Sequence, residues 1–542
     1  MSPYCGCRGV IKDIFCPMPP KNANERERVK PNMNRCLHRL CAWVLLCALV
    51  AGSACLPAAA AASTGFSDVP ATHWAADEIR RSKELGLFQG DSQGRFGLGE
   101  TLTRGTFAVV LCRLFGWELV KPETGSYTDN QDSSAGYYSA VETAFAHGAI
   151  TDQTDTFRPN DPITREEIAV MLVRAMGFGT IAGLAQELTM PFTDVRTNTG
   201  YIAMAYTLGV VGGTSDTTFS PDKTATREQA AVMLMRVYDS YLATEPERLG
   251  IATSAEGLTD LNGYTAVAVA AQRLIYAGQV RLLEEMGAEE VDAIRSAAQT
   301  AGAAALLYVS GTETALKGTA GATASLLASA VTAGNYDGLF LDLTGLGLKQ
   351  MRDFTSLAQS LDTALGDKLL YLGVEGQIWG GEIYNGYDYA ALSQSADKLV
   401  IHLPAGGDEA NGFPVAPQEP LEEVYYALSK LKGQVDGGKL CLLLTTTGTI
   451  WTGEEQGETL SAPQIQELRN SLFAEEYYSS RYACAYLTDA SEKELRVVWY
   501  LNGESVAARA RIAAFFGVNA LCFSDLSSIA AYEGYNLLSL LN

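Results

Sequence analysis

Residues 155–178 read DTFRPNDPITREEIAVMLVRAMGF. A turn with an aromatic and a proline runs into Thr164, and Glu167 follows three positions later. That pairing is the pattern of a capping box at a helix start. Ile168, Met171, Leu172 and Ala175 then recur at helical spacing. The same order of events occurs twice more. GRFGLGETLTR (94–104) leads into GTFAVVLCRLFGW, and TTFSPDKTATR (217–227) leads into EQAAVMLMRVYDS. Upstream of each lies an opening segment: FSDVPATHW at 66, YTDNQDS at 127 and FTDVRTNTGY at 192. An Ala-rich helical pattern follows each opening, and Gly-containing turns sit at 85–90, 147–152 and 208–213.

The register is regular. Asp68, Asp129 and Asp194 lie 61 and 65 residues apart, and Arg104, Arg165 and Arg227 lie 61 and 62 apart. Internal repetition at such a period is the sequence signature of a repeat architecture. The expectation is three helix–loop–helix units, at 66–118, 127–178 and 192–241, none able to bury its apolar face alone. They would pack as α-rich units around a shared core. Thr103, Thr164 and Thr226 read as the N-caps of the second helices.

The 542 residues call for more than one domain. Residues 1–62 read as a leader with a signal peptide. A basic stretch at Arg35–Arg39 precedes the apolar CAWVLLCALVAGSACL (41–56) and the small residues PAAAAAS. The apolar core is shorter than the ~20 residues of a membrane span, so no transmembrane anchor is expected after cleavage. The formal charge of −22 becomes about −27 once this basic leader is removed. A body so acidic repels phosphate backbones and excludes nucleic acid as a partner. Cys112, Cys441, Cys484 and Cys522 each sit in an apolar run and read as buried thiols. The four histidines are far apart, so neither a metal nor another cofactor is expected.

Residues 242–262 are polar and Gly/Thr-rich and read as a linker. From 263 to 542 short apolar runs alternate with helical stretches. Candidate strands are 264–270, 304–311, 336–343, 368–376, 398–404, 439–448, 496–501 and 518–526. Continuous apolar runs suit buried parallel strands, and the alternation predicts an α/β (β/α)8 TIM-type barrel. In that architecture functional groups lie at the C-terminal ends of strands.

The three repeats resemble S-layer homology domains. The shared pattern is an F-x-D-V opening, a glycine turn and F-x-P-x-x-x-I-T-R-x-E before an apolar helix. Phe157, Pro159, Ile163, Thr164, Arg165 and Glu167 match it almost throughout, whereas Gly105 and Thr106 replace the acidic part after Arg104. The resemblance implies an α-rich three-repeat pseudo-trimer in an exported protein held at a bacterial cell surface by binding secondary cell-wall polysaccharide, often pyruvylated. A pyruvate ketal displays a carboxylate, which an arginine fork can hold bidentately. The candidate contacts are Asp68, Trp74, Arg104, Asp129, Arg165, Glu166, Asp194, Arg227 and Glu228. Trp74 or the pair Tyr137/Tyr138 would stack on a sugar face. The opening aspartates equally suit a bracing role within each repeat.

The C-terminal region resembles family 18 glycoside hydrolases through YDGLFLDLTGL (336–346), YDYAALSQSADKLVIHLP (387–404) and residues 496–526. Its signature, D-G-x-D-x-D-x-E, is eroded. Asp337 and Asp342 remain, Phe340 replaces the middle Asp, and Thr344 stands where the family has its general-acid Glu. A Met-x-Tyr-Asp segment is replaced at His402, Pro404 and Ala405. The expectation is a non-catalytic barrel that still engages glycan, with Trp379, Trp451 and Tyr384 as contacts. Two rivals stay open: a wall-anchored glycosidase that pairs two of Asp342, Glu375 and Asp525 as acid and base, and a structural component of a surface layer.

Overall fold

The structure is a computed structural model. It describes residues 64–529 apart from 152–153, 185–187, 240–245, 257, 259–260, 379–383, 404–416, 418, 454, 480–481 and 492–493. The leader therefore lies outside the described residues, as does Trp379.

The repeats fold as the periodicity predicts. First helices run Ala76–Glu84, Tyr138–Ala146 and Thr199–Thr207, and second helices run Arg104–Leu114, Arg165–Ala175 and Arg227–Val237. Thr103 and Thr164 accept the N3 amides of their helices at 3.2 Å, and Glu167 returns a bond to the Thr164 amide at 2.9 Å, which completes the capping box. The apolar faces of the second helices are buried, among them Phe107, Leu111, Ile168, Leu172, Ala231 and Leu234.

The units close into a ring. Ile163 donates to the Leu102 carbonyl at 2.8 Å, Ala225 to Ile163 at 3.0 Å, and Leu102 to Ala225 at 3.1 Å. Each second helix also starts under its neighbour's turn. The Arg104, Arg165 and Arg227 amides donate to the carbonyls of Asp161, Lys223 and Glu100. N-terminal amides of a helix need partners outside the helix, and here another repeat supplies them. Repeat three thus depends on repeat one as repeat one depends on repeat two.

The second half is a closed eight-stranded parallel barrel. The strands are β1 (Glu247–Ala252), β2 (Tyr264–Tyr276), β4 (Ala304–Thr312), β5 (Gly338–Thr344), β6 (Leu369–Glu375), β7 (Lys398–His402), β8 (Leu440–Leu444) and β14 (Ala520–Phe523). β3 (Val280–Glu284) only lengthens β2 into a hairpin. Chain neighbours pair in sequence and β1 pairs with both β2 and β14, which shuts the cylinder. Leu306, Phe340, Tyr371, Val400, Cys441 and Cys522 fill the interior. All four cysteines of the described residues are buried and free.

Two expectations need correction. The linker span 242–262 contains β1, whose last five residues are buried. Its short run, GIA, is too small to stand out beside the surrounding glycines and threonines. RVVWYL is not a barrel strand. It is β13 (Arg496–Tyr500) of an antiparallel sheet inserted between β8 and β14, in the order β10-β9-β13-β12-β11 (Glu455–Leu460, Gly448–Thr452, β13, Cys484–Asp489, Ala474–Ser479). A central antiparallel strand covered on both faces reads as apolar as a parallel one.

Candidate functional site

Each repeat arginine crosses to the neighbouring repeat. Arg104 Nε donates to the Phe157 carbonyl at 2.7 Å, Arg165 Nε to Phe219 at 2.9 Å, and Arg227 Nε to Phe96 at 2.7 Å. Each guanidinium lies over the ring it reaches, at 4.6, 4.8 and 5.1 Å from the centroid. The repeated Phe is thus a seat for the adjacent arginine as well as a core residue.

The three clefts differ in charge. Arg104 Nη1 forms an ion pair with Glu167 at 2.6 Å, and Arg158 contacts the same oxygen. Arg165 Nη2 donates to the Gly212 carbonyl at 2.6 Å, and Arg227 Nη2 is 3.5 Å from the Gln89 carbonyl. Among the described residues neither Arg165 nor Arg227 has a carboxylate within ion-pairing distance. Burial lowers the pKa of all three guanidinium groups. A half-buried cation that lacks a counter-ion gains most from an incoming anion.

Their access differs too. Arg165 is closed over, with 6% exposed. Arg227 opens on a cavity of about 350 Å³ where three repeats meet, shared with Gln89, Thr106, Arg113, Gly136 and Tyr137. Arg113 is an exposed second cation there, tied to the Leu87 carbonyl at 3.0 Å. The sequence reading missed Arg113. Its signal was present, because Arg113, Arg174 and Arg236 each follow the first arginine by nine residues.

The remaining candidates are placed as follows. Asp68 accepts the amides of Phe96, Gly97 and Leu98, Asp129 those of Phe157 and Arg158, and Asp194 those of Phe219 and Ser220. The opening carboxylates are therefore committed to the turn of their own repeat. Glu166 accepts from Thr197 and Asn198, and Glu228 from the Gly99 amide. Trp74 is 62% exposed and does not line the cavity, Tyr137 does, and Tyr138 is buried. Gly105 is required where it stands, since a Cβ there would meet the Tyr137 ring and the Pro159 carbonyl at 2.9 Å.

In the barrel, Trp451 is 1% exposed and belongs to the core, so it offers no stacking face. Tyr384 is partly buried against that core. Asp337 lies at the start of β5, far from the mouth, and accepts the Ala305 amide at 2.8 Å. The mouth itself is polar. Inward positions at the C-terminal strand ends bring together Tyr308, Asp342, Glu375 and His402. Asp342 accepts from Tyr308 at 2.7 Å and sits 3.2 Å from His402 Nε2. Burial opposes the Asp342 charge, but His402 and Tyr308 outweigh it and hold the carboxyl low. Burial likewise opposes charge on His402, and Asp342 reverses this and raises it. Glu375 is raised by burial. Asp525, four strand positions away from β5, bonds Thr253 and Ser527 instead.

Comparison with known proteins agrees with the repeat geometry. A family model for the S-layer homology domain matches residues 65–108, 126–169 and 191–231. The chain is 31% identical over 218 residues to the S-layer protein sap of Bacillus anthracis, which covers 39% of this chain and 25% of that one. It is 30% identical over 219 residues to an endoglucanase of Bacillus sp. (strain KSM-635), covering 38% and 22%. It is 34% identical over 140 residues to a cellulosome-anchoring protein of Acetivibrio thermocellus, covering 25% and 30%. The chain thus spans about a quarter of the length of these relatives. Among solved structures, the C-terminal domain of a chitinase-like protein of Desulfitobacterium hafniense DCB-2 is similar at 19% identity and a TM-score of 0.48, covering 55% of this chain and 99% of that one. The spore cortex-lytic enzyme SleL of Bacillus megaterium is similar at 14% and 0.45, covering 63% and 80%. At such values these two likenesses carry no functional weight, and the barrel rests on its own strand pairings. The chain carries three S-layer homology domains joined to a TIM-type barrel. Domains of this kind anchor proteins at the cell surface, and that is the location of this chain.

Proposed function

We propose that this protein is exported and held non-covalently to an anionic secondary cell-wall polysaccharide by its three-repeat ring, and presents the barrel to surrounding glycan. The observation that carries the reading is Arg227. It is a half-buried guanidinium without a carboxylate partner among the described residues, at the edge of a cavity that also holds Arg113 and Tyr137. Two cations and one ring suit a sugar that bears a carboxylate, such as a pyruvate ketal. Arg165, equally without a carboxylate partner among the described residues but closed over, is the weaker seat. In the barrel Thr344 stands where a family 18 enzyme has its acid, so cleavage by that motif is closed.

The full chain should co-sediment with purified walls, and stripping the polysaccharide from the walls should abolish this. Arg165→Ala with Arg227→Ala should release it. A double variant that sediments like the parent protein would remove both residues from the ligand site.

A further inference from the structure

The barrel mouth contains a second arrangement of groups that the eroded motif does not account for. β5 ends at the exposed Thr344, and Gly345 turns away with φ +72°. Glu375 is the last residue of the adjacent strand β6, and its Oε2 accepts the Gly345 amide at 2.9 Å. A carboxyl group therefore occupies the rim beside position 344, delivered from the next strand. The Tyr387 hydroxyl lies 2.9 Å from the same oxygen and 2.8 Å from the Leu343 carbonyl, and its single proton serves one of the two, so the hydroxyl sits between Glu375 and β5. No hydrogen bond among the described residues reaches the other oxygen of Glu375.

Below it lies Asp342. Gly373 stands opposite Asp342 in the β5–β6 register, and a Cβ there would lie 2.2 Å from Asp342 Oδ1. The glycine makes room for the carboxylate. Among the described residues Oδ1 has no hydrogen-bond partner, in a residue 4% exposed. Glu375 follows Gly373 by two residues on the same inward face, so the two carboxyl-bearing residues are about 8 Å apart at Cα. The environments push the two pKa values apart: burial raises Glu375, and His402 and Tyr308 lower Asp342. Carboxyl groups whose pKa values are pushed apart are how one site supplies both an acid and a negative charge.

We propose that Glu375 is the proton donor of a glycosidic-bond-cleaving site at the barrel mouth, in the place the Thr344 side chain cannot fill. The inference rests on the reading that the barrel meets wall glycan. Glu375 passes its carboxyl proton to the bridging oxygen as the bond from that oxygen to the anomeric carbon breaks. Asp342 supplies negative charge for the cation left on that carbon. Water adds to the carbon and returns a proton to Glu375, so one water is consumed and two chain ends form. Tyr387 and Gly345 are positioning groups.

The test uses the full chain on purified cell-wall glycan and reads new reducing ends. The native protein should exceed a heat-denatured control, and Glu375→Gln should lower the rate roughly 100-fold or more. On a 2,4-dinitrophenyl glycoside of the released sugar, whose leaving group needs no proton, Glu375→Gln should lose far less. That split separates a proton donor from a structural carboxyl, and an unchanged melting temperature confirms that the variant folds. No release by the native protein, equal release by Glu375→Gln, or equal loss on both substrates would overturn the proposal. Wall retention is measured in the same samples. Retention without release sinks this site and leaves the anchor, and release without retention does the reverse.

Discussion

The cleft at Arg104 and the cleft at Arg227 are built from the same unit with the same landmarks. In both, a guanidinium leaves the first residue of a helix, crosses to the adjacent repeat, bonds the carbonyl of a buried phenylalanine and lies over its ring. They differ in what the adjacent repeat offers at the third position of its own second helix. Arg104 finds Glu167 there and is neutralised. Arg227 finds Thr106, across an open cavity. The corresponding residue in repeat three is Gln229, and Arg165 has no carboxylate among the described residues. Inherited geometry thus gives three similar cradles, and one residue in each decides whether the cradle is already occupied by the protein's own charge.

The comparison can be broken most directly at Arg227. Arg227→Ala should weaken wall binding by about 10- to 100-fold, the worth of a charge-assisted bond, and Arg104→Ala should change it by less than about threefold. Titration against purified walls decides, and equal losses would end the distinction between the clefts. A smaller effect is expected from Thr106→Glu, which gives Arg227 the partner that Arg104 already has. Binding should fall about tenfold with unfolding little changed, and a variant that binds like the parent would mean that Arg227 does not meet the ligand. Glu167→Gln should still cap its helix, as Gln229 does, while freeing Arg104. A modest gain of about two- to fivefold in wall binding is expected, and a loss would show Glu167 to be a contact.

The smallest effect concerns pH. Burial raises the Glu167 pKa, but the Thr164 amide, Arg104 and Arg158 outweigh it, so the carboxyl lies below its usual value. A depressed folded value gives stability that is complete above the unfolded pKa of about 4.3 and is lost as pH falls through the folded one. Between pH 5 and 3 the parent should therefore lose more melting temperature than Glu167→Gln. Parallel losses would show that the Arg104 pair adds no stability.

Much of this was readable from the residues. A thrice-copied Asp-to-Arg register cannot arise from a single helix pattern, so the repeats, their caps and their arginines were evident. Seven of eight barrel strands stood out because a strand buried on both faces must be apolar over four or five residues. β1 did not, because its apolar part is only a few residues long. The direction in which each arginine reaches was not readable, since sequence order gives no sign that repeat three touches repeat one. The place of Glu375 was legible only as a strand end. Its meeting with Gly345 depends on strand register, which residue types do not encode.

The triangle of backbone bonds among Leu102, Ile163 and Ala225 has a consequence for chain connectivity. A cycle has no privileged beginning, so the covalent links between units matter less than their mutual completion. Ends relocated to the stretch between the first and second units, with the old ones joined by a flexible tether, ought to yield the same assembly. Removing any one unit ought instead to leave one of the two remaining helix starts bare and the shared core uncovered.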